Sequence, residues 1–246
     1  MLPKNLIIVL LFAGCSPLLT GCTSWLASEK NAEGCRLLRA GNRNAAMENF
    51  KDASYLDPAN PVSYYNIAKM HHDNARDLQS PEELAKAKQY YQNAISVDPG
   101  HVPTRRSYAL LLVEQGKRNS AIQMLQAWAN SFPEEAIPQV ELARLYEDLG
   151  DTKMARRSLN KALSVDPENK RGLELLARSE ERSGNRAVAL AHYERAARLD
   201  PSDVKLARYI AELRELTPSS SPSFEPNRRE TAIATRPDTG GGGSIR

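Results

Sequence analysis

Five prolines, Pro58, Pro99, Pro133, Pro167 and Pro201, end five copies of one sequence unit, and the last four stand 34 residues apart. Counting back from each gives the same order of side chains. Twelve residues earlier stands alanine (Ala46, Ala87, Ala121, Ala155, Ala189), and eight earlier a large apolar residue (Phe50, Tyr91, Leu125, Leu159, Tyr193). Five earlier comes alanine again (Ala53, Ala94, Ala162, Ala196), replaced once by Trp128. Seventeen earlier stands glycine (Gly41, Gly116, Gly150, Gly184), missing in the second copy. A period of this length means stacked supersecondary units, each burying its apolar face against the next.

These residues resemble the tetratricopeptide repeat, a helix–turn–helix unit with this length and this small–large–small–proline order. The resemblance runs from about residue 27 to 201 and implies an all-α fold, a right-handed α-solenoid of five units with a C-terminal capping helix. Physical chemistry leads the same way. Paired helices approach closely where facing side chains are small, and Gly34, Ala68, Ala109, Ala143 and Ala177 on the first helices face the alanines of the second. Each proline lacks an N–H and restricts its predecessor, which stops the second helix. Each glycine falls where the first helix must end.

The expected organisation is a signal segment at 1–21, an anchor and short linker at 22–26, units at 27–60, 61–101, 102–135, 136–169 and 170–203, a capping helix at 204–216 and a tail at 217–246. In the capping segment Leu206, Tyr209, Ile210 and Leu213 recur at helical spacing, so it covers the last unit's apolar face. The tail is rich in Pro, Ser, Thr and Gly and reads as disordered by composition. The second unit carries seven extra residues. The register places them in the connection around Asn74 to Ser80, as a tolerated insertion, a longer second helix or a loop projecting toward a partner. Ser80, Pro81 and Glu83 read as N-cap, first-turn proline and capping-box acid.

Lys4 followed by the apolar run Leu6 to Ala13 has the shape of a secretory signal, too short to span a bilayer. Leu19-Thr20-Gly21-Cys22 resembles the bacterial lipobox, which implies lipidation of Cys22; Phe12-Ala13-Gly14-Cys15 is a poorer match. Lipid would hold the solenoid at a membrane without a spanning helix. Thr23 after the cysteine, by the same resemblance, favours the periplasmic face of an outer membrane. Cys35 reads as a small, partly buried helix residue.

The chain carries a net charge of +3 spread along its length, so it offers no basic stripe for nucleic acid. No Walker loop, HExxH, GxSxG or CxxC is present, and the adjacent His71 and His72 point about 100° apart on a helix, unlike a metal-sharing i, i+4 pair. Neither a cofactor, a metal, a small-molecule substrate nor an enzymatic reaction is expected. Acidic pairs such as Glu82-Glu83, Glu134-Glu135 and Glu180-Glu181 read as helix starts or solvated faces.

In tetratricopeptide arrays the first helices line a concave groove that binds proteins or peptides. By analogy the groove carries Tyr65, Asn66 and Lys69, then Arg106 and Leu110, then Val140, Glu141 and Arg144, then Glu174 and Arg178. Lys69, Arg144 and Arg178 occupy equivalent places and suit acidic side chains. They also read as solvated helix pairs, since Lys69–Asp73, Arg144–Asp148 and Glu174–Arg178 are i, i+4 neighbours. The Lys–Asn–Arg set of the carboxylate-clamp subfamily is absent. Together these features imply a membrane-anchored interaction scaffold of the cell envelope, resembling assembly factors of type IV pilus and secretin systems. A periplasmic adaptor of cell-wall enzymes is the alternative reading.

Overall fold

The computed structural model describes the backbone of residues 17–216 and the side chains of residues 23–216. The apolar run, Cys15 and the 217–246 tail lie outside the described residues, as does the side chain of Cys22. Among the described residues every regular element is a helix. The first unit is α1 (Pro17–Arg39) and α2 (Arg43–Leu56), and the second is α3 (Pro61–Leu78) and α4 (Pro81–Val97). Then come α5 (Val102–Glu114) and α6 (Arg118–Ser131), α7 (Ala136–Asp148) and α8 (Thr152–Val165), and α9 (Lys170–Arg182) and α10 (Arg186–Leu199), with α11 (Val204–Glu215) last.

The repeated small residues do what their spacing requires. Ala46, Ala87, Ala121, Ala155 and Ala189 have no exposed surface, and Phe50, Tyr91, Leu125 and Leu159 are at most 1% exposed. Trp128 stands where the other units have alanine and is also buried. Each helix packs on the next in sequence. Successive first helices from α1 to α9 also touch, whereas successive second helices do not. The array therefore curves with the first helices inside, and their exposed side chains form the concave face.

Four first helices end in Schellman turns on a left-handed glycine, with φ between 74° and 82°. In the third unit, for example, the Gly116 N–H donates to Val113 O at 2.8 Å and the Lys117 N–H to Leu112 O at 2.8 Å. The second unit lacks the glycine, and Gln79 takes the left-handed conformation instead at φ 50°. Its extra residues do not form a loop. They lengthen α3 to 18 residues and α4 to 17, against 13 and 14 in the unit that follows, and only Gln79 and Ser80 connect them. Extra turns on both helices satisfy their own backbone groups and pack on one another, which an unstructured loop cannot do.

Other expectations are corrected. Residues 23–26, read as linker, continue α1, and Ser24 Oγ donates to Asp57 at 2.7 Å. Ser80 caps α4 by accepting from the Glu83 N–H, yet the Glu83 side chain does not close a capping box. It accepts instead from Lys86 at 2.8 Å and Asn74 at 3.2 Å and sits 2.7 Å from His71 Nδ1. This network ties the elongated α3 to α4 and holds the Glu83 carboxyl down at about 2, chiefly through His71 and Lys86. Cys35 is exposed. Among the described residues no helix is long and apolar enough to cross a membrane.

The last unit is closed by α11. Leu206, Ile210 and Leu213 bury themselves against Tyr193 and Ala196, while Tyr209 stays partly exposed and donates its hydroxyl to Glu181 at 2.6 Å. Lys170 joins the first helix of this unit to the cap, reaching Asp200 at 2.7 Å and Asp203 at 2.9 Å.

Candidate binding face

The concave face is organised by polar contacts between successive first helices, one repeat apart. At its start Asn31, buried on α1, donates to Ser63 at 2.9 Å and accepts from Asn66 at 3.2 Å. Asn66 is therefore a bridge between units, with part of its surface turned to solvent. Tyr65 is half-buried and meets the His101 ring edge-on, 5.7 Å between centroids. Lys69 is exposed and pairs with Asp73 at 3.7 Å.

The centre of the face is built around Glu141. Its side chain is 3% exposed, so the residue does not line the groove as an open position, and neither does the buried Val140. A buried carboxylate needs compensation. Arg106, reaching from α5, supplies it by engaging both oxygens, with Nε to Oε2 at 2.8 Å and NH2 to Oε1. Two more guanidiniums stand at the same carboxylate. Arg144 NH1 is 4.0 Å from Oε2, and Arg171 Nε from α9 is 3.9 Å from Oε1. Neither is within hydrogen-bonding distance. Arg144 and Arg171 are 36% and 50% exposed. Burial, and then the charge of Arg106, pushes the Arg171 guanidinium below its ordinary value.

Arg144 thus turns to Glu141, not to Asp148. Glu174 likewise lies 3.8 Å from Lys170, so the expected Glu174–Arg178 pairing does not form. Arg178 is exposed on α9 and adds its charge to the environment of Glu147, whose carboxyl is raised by burial and whose Oε1 has no hydrogen-bond partner. Leu110, one turn along α5 from Arg106, is 50% exposed. The structure therefore brings Arg106 and Arg144 together, adds Arg171, and leaves Tyr65, Asn66 and Lys69 toward one end and Arg178 toward the other.

Sequence reasoning passes over Arg171 and misplaces two acids. Glu180, read as solvated, is buried between Arg156 and Asn185. Glu141, expected to line the groove, lies beneath its surface. The available signal was spacing: Asn31 and Asn66, Arg106 and Glu141, and Glu147 and Arg182 all lie 35 residues apart, one repeat plus one residue.

Two profiles described as tetratricopeptide repeat match residues 80–137 and 140–213. The chain belongs to the tetratricopeptide repeat family. Among solved structures it is similar to a thermophilic TPR protein of Thermus thermophilus, with a TM-score of 0.55 and 20% identity over 77% of this chain and 99% of that one. It is also similar to PilF of Pseudomonas aeruginosa, with a TM-score of 0.50 and 17% identity over 79% of this chain and 86% of that one. These likenesses show the fold. No curated protein sequence matches the chain. Tetratricopeptide arrays are protein–protein interaction scaffolds and typically carry no catalytic activity.

Proposed function

We propose that this protein is a lipid-anchored scaffold of the cell envelope that holds other envelope proteins on its concave face. An assembly factor for a pilus or secretin-type system is its most concrete form. The observation that carries the reading is positional: the lipobox-like Leu19-Thr20-Gly21-Cys22 lies in the opening turns of α1, at the start of an interaction array. Acylation of Cys22 would place the binding face next to a membrane, and two or more acyl chains give stable anchoring. The lipidated cysteine would then be the mature N-terminus, on the periplasmic side.

The test is affinity capture from detergent-solubilised membranes, with wild type and Cys22→Ser compared, and palmitate labelling of both. The expected result is label on wild type alone and reproducible recovery of a pilus or secretin subunit. Recovery of cell-wall hydrolases instead would replace the assembly reading with that of an enzyme adaptor. Absence of label from wild type would overturn the anchor.

A further inference from the structure

We propose that Arg144 and Arg171 form a two-arginine clamp for a carboxylate side chain of an acidic partner segment laid along the concave face. This rests on the scaffold reading and names the chemistry of its partner.

A guanidinium carries five N–H donors in a fixed fork that matches a carboxylate. Arg106 spends its fork on Glu141, whereas Arg144 and Arg171 make no hydrogen bond among the described residues. They are nonetheless held near one another, each about 4 Å from the same carboxylate group, on consecutive first helices. Long-range attraction to Glu141 orients both side chains without consuming their donors.

Charge points to the same occupant. Glu174 is the second acid of this region and is drawn toward Lys170, which also reaches Asp200 and Asp203. With Glu174 drawn to Lys170, three guanidiniums meet the single carboxylate of Glu141. An incoming carboxylate fills unused donors and relieves the repulsion among Arg106, Arg144 and Arg171. Leu110 on α5 and Lys69 farther along offer an apolar and a second cationic contact to the same segment. An extended acidic peptide can meet these points in turn, which a compact ion cannot.

The experiment uses the full chain and two fluorescein-labelled peptides, one alternating Glu and Ser and the other alternating Gln and Ser. Fluorescence anisotropy is measured for wild type, Arg144→Gln/Arg171→Gln, and Lys153→Gln/Arg157→Gln on the outer helix α8. The proposal predicts binding of the acidic peptide, weakened by salt, and a loss of about tenfold or more in the clamp variant. The α8 variant should match wild type. Equal binding of both peptides, equal loss in both variants, or no binding of the acidic peptide overturns it. So does binding to phosphatidylglycerol vesicles, without the peptide, that the clamp variant abolishes. Arg144→Lys/Arg171→Lys keeps the charge, and its helical circular dichroism and intermediate affinity separate a lost fork from a lost fold. Membrane partners captured equally well by the clamp variant would leave the scaffold standing and sink the clamp.

Discussion

Replacing Gly34 by Ala sets two effects of opposite sign against each other. Gly34 lies inside α1, where alanine is better by about 1 kcal/mol on propensity alone. The added Cβ, however, would sit 2.5 Å from Phe50 Cε1, 2.7 Å from Cδ1 and 3.0 Å from Cζ. All three atoms belong to one rigid ring, and that ring is 1% exposed among Ala46, Ile67 and Met70, so it has nowhere to turn. Overpacking of this kind costs about 1–3 kcal/mol, more if the two helices must separate. The net expectation is a loss of about 1–2 kcal/mol, taking the larger overpacking values for three close contacts. Because a solenoid's units are coupled only to their neighbours, the loss should show first as fraying of α1 and α2. Urea unfolding with hydrogen exchange of the two helices measures both. Gly34→Ala/Phe50→Leu removes the ring and should cost less than the sum of the two single changes. A Gly34→Ala protein more stable than wild type by about 1 kcal/mol would show that the helices are not in close contact there.

Gln79 holds a left-handed conformation that glycine adopts freely, so Gln79→Gly should raise stability by about 1 kcal/mol in a thermal melt, whereas Gly116→Ala should lower it by a similar amount. Glu141→Gln removes the charge partner of the part-buried Arg106, and chemical denaturation should show a loss of about 2 kcal/mol. The depressed Glu83 carboxyl stabilises the fold above its ordinary 4.5 and loses that contribution as pH falls toward about 2. The stability gap between wild type and Glu83→Gln should therefore be full above that range and close across it, as followed by acid titration of denaturation midpoints. Ile210→Asp should uncap the last unit, with a loss of about 3 kcal/mol confined in hydrogen exchange to α9–α11.

The fold was legible because its constraints are local and repeated. Alanine, proline and glycine at fixed offsets are demanded by close packing, helix termination and left-handed turns, each of which acts within one unit. What could not be read that way depends on contacts between units. Glu141 and Glu180 look like ordinary helix-surface acids until the neighbouring unit's register brings Arg106 to one and Arg156 to the other. Arg171 looks like a first-turn arginine of α9, and only the stacking of α9 on α7 places it at Glu141. Ser80 and Pro81 marked the start of the lengthened α4, but nothing from Asn74 to Leu78 showed that α3 would run on, and Gln79 gave no hint that it would stand in for glycine.

On this reading, partners are held by the inner faces of the first helices. A photo-reactive benzophenone side chain placed at Leu110, on the concave face, and separately at Lys161, on the outer face of α8, tests it in intact cells. Cross-linked partner protein from Leu110 and none from Lys161 is the predicted result; cross-links from Lys161 with none from Leu110 would contradict it.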